Sequence, residues 1–317
     1  MGWCFRQTMN FSSIKVLLKR ILEAILVLFL IISLVFFMIR SVPGGPFDTE
    51  KEAAPEVILA LEAQYGLDKS LWRQYFSFVK NLIQGDLGPS FKYAGWSVNE
   101  LIFQKLPVSI ELGFWALLIA ICLGIPLGIS SAIKSGHISD YFFISMALIG
   151  ICIPSFVIGP LLQIAFSIHF GWFPLIGWDH YSQKILPSFT LGLGYAAVIA
   201  RLTRTVMIEE IQKNYPRTAR AKGLTEFRIN MIHCFKNGLP PIIAYLAPAI
   251  SGLISGSFVV ETIFHVPGLG RFFVNAAINR DYTMILGTTL IYSCMIIGLN
   301  LFADGIQKII NPMQQDR

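Results

Sequence analysis

Apolar residues crowd into six long runs along this chain: Ile21–Ile39, Val108–Ile133, Tyr141–Ile168, Leu186–Met207, Pro240–Ile263 and Met284–Ile310. A helix needs about 20 mostly apolar residues to cross a bilayer, and each run is close to that length or longer. Polar and charged residues gather in the connections between them. The pattern predicts an all-α integral membrane protein of six transmembrane helices. Lys15, Lys19 and Arg20 precede the first run as they would in a signal peptide, but the run is longer than a signal core of roughly 7–15 residues and no small-residue cleavage site follows. It is expected to be retained as the first span. Residues 1–13 show no periodicity and are expected to form an N-terminal extension, with Met9 as an alternative start. Residues 14–317 are expected to make one transmembrane domain.

The first connection, Ser41 to Pro107, is too long for a simple link. One amphipathic helix is expected from Pro55, a favoured first-turn residue, to Gly66. A second starts near Ser70, with Leu71, Tyr75, Phe78, Val79 and Leu82 on one stripe. A third, Val98 to Leu106, follows the capping box Ser97-x-x-Glu100 and is expected at the membrane surface. Residues 41–107 thus form a helical insert on one side of the membrane.

Charge sets the topology. Lys15, Lys19 and Arg20 mark the start and Lys134 the second connection. The fourth connection carries eight basic residues from Arg201 to Lys236 against Glu209, Glu210 and Glu226, a local net of +5. Lys and Arg concentrate on the cytoplasmic side, so both termini and the second and fourth connections are expected there, with the 41–107 insert outside. Composition agrees: 54% of residues are hydrophobic and 14% charged, with a mean hydropathy of +0.62, whereas soluble domains carry about 25% charge. The overall charge of +6 follows topology, and membrane lipid rather than nucleic acid is the expected partner. Five singly placed cysteines give neither a disulfide framework nor metal-ligand spacing, and no metal site is expected. Cys122, Cys152 and Cys294 lie in apolar runs, where buried thiols are ordinary packing residues.

Within the spans, Gly124-x-x-x-Gly128 suits close helix packing. Ser251, Gly252, Ser255 and Gly256 give the fifth span a small, slightly polar face, a candidate pathway lining or subunit seam. Pro154 and Pro160 are expected to kink the third span. The ionisable residues Glu23, Glu111, Arg201, Arg204, Glu261 and Asp304 fall near span ends, where snorkelling or interfacial anchoring accounts for them. No mid-depth acid or histidine suggests a proton or sodium relay.

The fourth connection, 208–239, is more than a topology signal. Arg217-Thr218-Ala219-Arg220-Ala221-Lys222-Gly223 predicts a short helix ended by Gly223 at C′, with Arg220 and Lys222 complementing the helix dipole. A second helix starts with Thr225 as N-cap and Glu226 at N1, stapled by Leu224 and Ile229. Phe227, Met231, Cys234 and Phe235 form its apolar stripe. A solvated basic loop needs no two capped helices; small alanines on a turn suit a surface that another protein approaches closely.

The stretch Tyr215-Pro-Arg-Thr-Ala-Arg-Ala-Lys-Gly-Leu224 resembles the coupling-loop motif of ABC importer permeases, in the form used by the peptide/nickel permease family. The resemblance extends from Ile14 over nearly the whole chain, through Arg40-Ser-Val-Pro-Gly-Gly-Pro46, Tyr65-Gly-Leu-Asp68, Gly85-Asp-Leu-Gly88, Ile153-Pro-Ser-Phe156, Val260-Glu-Thr-Ile-Phe264, Pro267-Gly-Leu-Gly270 and Asn279-Arg-Asp-Tyr282. It implies a type I importer permease fold in the cytoplasmic (inner) membrane. It also implies a second, homologous permease, two cytoplasmic ATPase subunits and an external substrate-binding protein as partners. The helix carrying Arg217, Ala219, Ala221 and Gly223 would dock on one ATPase. ATP and magnesium would be held by those subunits, with no cofactor on this chain; no G-x-x-x-x-G-K-[ST] phosphate loop is present. Peptides, nickel complexes and glutathione are the family's cargoes, and the sequence looks closest to the oligopeptide and dipeptide branch. Arg217 and Thr218 replace the Glu and Ala of the broader importer motif, and Pro216 its aliphatic residue. Two rival classes fit less well: an ion-coupled transporter would need a mid-depth charge, and a membrane enzyme would need a nucleophile–base pair or metal cluster in 41–107.

Overall fold

The computed structural model describes residues 11–47, 55–138, 140, 142, 145, 150–255 and 257–310. Most of the expected N-terminal extension, much of 141–149 at the start of the third expected span, and Gly256 lie outside these. The regular elements among the described residues are all helices, with no strand and one isolated bridge, Pro89 to Ser97. Five helices are long and apolar enough to cross a membrane, and a shorter apolar stretch, Ser155–His169, stands where the third span is expected.

The chain divides into two compact units. The first takes Met1–Glu100 and Ala276–Ile297. Its long helix α1 (Phe11–Ser41) carries Leu22 and Leu34 at 69% and 64% exposure, and apolar surface of that kind calls for lipid. Helices α2 (Pro55–Gln64) and α3 (Leu71–Ile83) follow. As the expected stripe requires, Tyr75 of α3 is buried, and its ring lies 5.2 Å from Phe36 and 5.3 Å from Phe37 of α1. The Ser33 and Tyr75 hydroxyls are 2.6 Å apart. Asp281, 1% exposed, accepts from Ser90 Oγ at 2.5 Å and from Thr283 Oγ1 at 3.0 Å. It also accepts from the N–H of Met284 at 3.1 Å, capping the last helix.

The second unit takes Leu101–Asn275 and Gly298–Arg317. Helix α4 (Val98–Ile133) runs without a break through Pro107, so the expected surface helix and second span are one element. The capping box forms as read: Ser97 N–H donates to Glu100 Oε2 at 3.0 Å and Glu100 N–H to Ser97 Oγ at 3.2 Å. Pro154 does not kink a helix but caps the start of α5 (Ser155–Leu162), and a π-helix, Gln163–His169, follows Pro160. Helix α6 (Tyr181–Gln212) packs on α4 at the predicted small residues. A Cβ on Gly124 would stand 2.6 Å from the Ala196 carbonyl oxygen, and one on Gly128 2.5 Å from that of Ala200. Only glycine permits that approach.

Of the ionisable side chains expected to snorkel or to anchor at the interface, Glu261 departs from both, whereas Glu111 and Arg204 are held in ion pairs. Glu261 is fully buried, accepting from Ser257 Oγ at 2.5 Å, Ser109 Oγ at 2.7 Å and Arg271 N–H at 2.9 Å. Glu111 accepts from Lys184 Nζ at 2.6 Å and Trp178 Nε1 at 3.0 Å. Arg204 grips Asp140 with two donors at 2.8 and 2.9 Å. Cys122, Cys152 and Cys294, expected among buried packing residues, are exposed.

Candidate functional site

The second unit contains the fourth connection in full. Helix α6 continues beyond the expected span to Gln212, and extended Lys213 (ψ 168°) turns the chain into α7 (Asn214–Ala221). This helix begins three residues before the predicted Arg217. Two of its residues, Pro216 and Ala219, are buried. Ala219 joins Ile129, Ala132, Met207, Ile229 and Cys234 in one apolar cluster, with Tyr215 and Leu224 at its edge. Glu210, 7% exposed, accepts from Tyr215 Oη at 2.7 Å and Lys213 Nζ at 2.6 Å. Burial, reinforced by the Glu210 carboxylate, pushes the Tyr215 phenol well above its ordinary range, so it stays a donor. The underside of α7 is thus tied to the ends of α4 and α6.

The other face is open. Arg217, Thr218, Arg220, Ala221, Lys222 and Gly223 are exposed. Of the two alanines expected on a docking surface, only Ala221 lies there. Arg220 makes a two-donor ion pair with Glu226 at 2.6 and 3.1 Å, so Arg217 and Lys222 are left to carry the outward positive charge. The helix ends as predicted. Gly223 has φ +79°, its N–H donates to the Arg220 carbonyl at 2.9 Å, and the Leu224 N–H donates to that of Ala219 at 3.2 Å. Those two bonds are the Schellman pair.

Thr225 caps the next segment as predicted, its hydroxyl accepting from Arg228 N–H at 3.4 Å. From Glu226 the chain forms α8 (Glu226–Arg228), a π-helix (Ile229–Cys234) and α9 (Phe235–Ser255). The π-helix shifts the expected stripe: Phe227 is 75% exposed, whereas Ile229 and Cys234 are fully buried and Asn230 nearly so. The regular 3.6-residue period used for the sequence cannot register the wider turn.

Asp140 was not singled out by the sequence. Besides Arg204 it accepts from Ser131 Oγ at 2.5 Å and the Gly136 N–H at 3.1 Å. The Arg204 guanidinium, outweighing the effect of burial, holds its carboxyl well below the usual range. The only sequence signal was an acid immediately preceding an apolar run.

In the fifth expected span, Ser251 is buried; its hydroxyl lies 3.4 Å from both the Ala247 carbonyl and Asn300 Oδ1. Ser255 Oγ donates to the Ser251 carbonyl at 2.8 Å. A Cβ on Gly252 would collide with the Tyr195 hydroxyl, so Gly252 meets another helix of the same chain. After the undescribed Gly256 come α10 (Phe258–Ile263), α11 (Leu269–Ile278) and α12 (Tyr282–Ile310). Among the described residues no three of His, Cys, Asp and Glu converge on a metal-sized point.

Residues 124–315 match the family described as "Binding-protein-dependent transport system inner membrane component", and residues 13–113 match its N-terminal companion. The oligopeptide transport system permease protein OppB of Escherichia coli K12 is 44% identical over 301 residues, covering 94% of this chain and 98% of that protein. The dipeptide transport system permease proteins DppB of Lactococcus lactis subsp. cremoris and of Bacillus subtilis are 38% and 37% identical, over 94% of this chain and 98% and 97% of theirs. Among solved structures, the inward-facing MetNI methionine ABC transporter aligns with a TM-score of 0.57 and 18% identity, over 66% of this chain and 96% of the matched one. That likeness is one of fold.

Proposed function

Because the chain belongs to the family of binding-protein-dependent transport system inner membrane components, we propose that it is the membrane permease of an importer that passes oligopeptides or dipeptides delivered by an external binding protein. The family is one of transport components rather than catalytic subunits. Two cytoplasmic ATPases would hold ATP and magnesium, and a second, homologous permease would complete the pathway. The observation that carries the coupling role is the two-faced α7: its underside is packed into the permease, while Arg217, Ala221, Lys222 and Gly223 stand exposed. A push on that exposed rim is transmitted to α6 and α4 through Ala219, Tyr215 and Glu210 rather than lost in a slack loop. Tyr215, Thr218, Arg220 and Leu224 hold that rim in shape. Ser255 stays a candidate for the pathway or the permease seam and Gly256 lies outside the described residues, whereas Ser251 and Gly252 pack within this chain. The peptide cargo is supported by the likeness to OppB and DppB, permease proteins of an oligopeptide and a dipeptide transport system.

Peptide import is tested by isolating the cognate external binding protein with its natural ligand and measuring uptake of that ligand into proteoliposomes holding the whole importer. Peptides in the binding protein and uptake that requires ATP are expected. Nickel chelates alone in the binding protein would overturn the cargo, and uptake that persists without ATP would overturn the importer reading.

A further inference from the structure

Arg40 lies one residue from the end of α1. Its guanidinium carbon sits 3.6 Å from the centre of the Phe36 ring and 5.5 Å from that of Tyr282. Its Nε donates to Gln74 Oε1 at 2.9 Å, and Gln74 is itself locked by donating to the Leu67 and Lys69 carbonyls at 3.0 and 2.8 Å. Nη1 is buried, with no hydrogen-bond partner among the described residues. Among the described residues no carboxylate pairs with this cation. A snorkelling arginine would carry its head into water; this one is folded back onto an aromatic ring and an amide. A half-buried guanidinium without a counter-charge is less costly when an anion completes it.

Arg40 also lines a cavity of about 270 Å³ within the first unit, whose lining includes the exposed Ser77 and Asp86. That volume is several times the roughly 30 Å³ a water occupies in the liquid. Lys69 adds a second positive charge to the lining, and Ser77 and Asn81 add polar donors. Asp86 is the single acid among the described lining residues, and its Oδ1 already accepts from Gly88 N–H at 2.9 Å. Two cations, one of them a pre-positioned guanidinium, suit an oxyanion, and arginine's fork matches phosphate. The first span ends at Ser41, which sets Arg40 at the level of lipid headgroups.

We propose that this cavity is an oxyanion site for a phosphate group, held by Arg40 with Lys69, Ser77 and Asn81. The phosphate comes from a phospholipid headgroup or from free inorganic phosphate. The site is independent of the transport reading and sits apart from the fourth connection in sequence. For its test, the full chain is purified free of lipid and titrated with phosphatidylglycerol, with diacylglycerol and with inorganic phosphate. Binding is read by native mass spectrometry and by the rise in unfolding temperature. Phosphatidylglycerol is expected to bind and diacylglycerol to bind more weakly, with affinity for the phosphate-bearing probe falling about tenfold or more in Arg40→Gln, the loss of one charge-assisted contact. Ser77→Trp, at an exposed helical position, fills the cavity and decides the matter even if Arg40→Gln does not fold. Protection by phosphatidylglycerol alone assigns the lipid; equal protection by inorganic phosphate assigns the free anion. No binding of either phosphate probe, equal binding of diacylglycerol, or phosphate binding unchanged in Ser77→Trp overturns the site.

Discussion

Ala219 and Ala221 stand two residues apart on α7 with opposite surroundings. Ala219 is buried among Met207, Ile229 and Cys234, while Ala221 is exposed. Ala219→Leu overfills that cluster, and a loss of about 1–3 kcal/mol is expected, visible as a lower unfolding temperature of the permease by itself. Ala221→Leu should leave that temperature unchanged and weaken only retention of the ATPase, measured by co-purification. Glu261 gives a second residue-scale prediction. Its carboxylate faces three donors, from Ser109, Ser257 and the Arg271 backbone. Glu261→Gln sets an amide donor against them, and a loss of about 1–3 kcal/mol is expected in thermal unfolding. The caps at Gly223 and Thr225 were legible in the sequence because their causes lie within five residues. The burial of Glu261 was not, because Ser109 is 152 positions away and nothing local distinguishes an anchored carboxylate from one at the interface.

Between elements, the α4–α6 contact rests on Gly124 and Gly128. The small-residue spacing announced a close approach, but only the structure supplies the partner carbonyls of Ala196 and Ala200. Gly128→Val must push these helices apart, and a loss of about 1–3 kcal/mol should appear as a lower unfolding temperature and poorer recovery from the membrane. The wide turn at Ile229–Cys234 gives the contrary case. Read with a regular period, Phe227 belongs to the buried stripe, and its replacement by serine should be severe. With Phe227 exposed, Phe227→Ser should change permease stability by no more than about 0.5 kcal/mol, checked by the same unfolding assay. The continuity of α4 through Pro107 escaped the sequence for a related reason: proline read as a boundary, whereas in α4 it is carried within the helix.

At the scale of the whole molecule, the proposed importer reading has the permease receive work from its ATPases through a surface. The segment proposed for that role is stiffened from both sides, by the packed cluster beneath α7 and by the Arg220–Glu226 ion pair beside it. Its outward charge is held at Arg217 and Lys222, close to the Gly223 turn. Valine at 223 would have to adopt the left-handed conformation of φ +79°, which costs an L-residue about 1–2 kcal/mol and a β-branched one more. No atom lies within 4 Å of where its Cβ would stand, so the substitution strains the turn without disturbing packing. The decisive measurement is ATP hydrolysis and substrate uptake in the same proteoliposomes, comparing wild-type importer with Gly223→Val at equal permease content. Uptake per ATP hydrolysed is predicted to fall about tenfold, the equivalent of that conformational cost, with the permease still inserted. Unchanged uptake together with unchanged co-purification of the ATPase would contradict the claim that work enters at Arg217–Gly223.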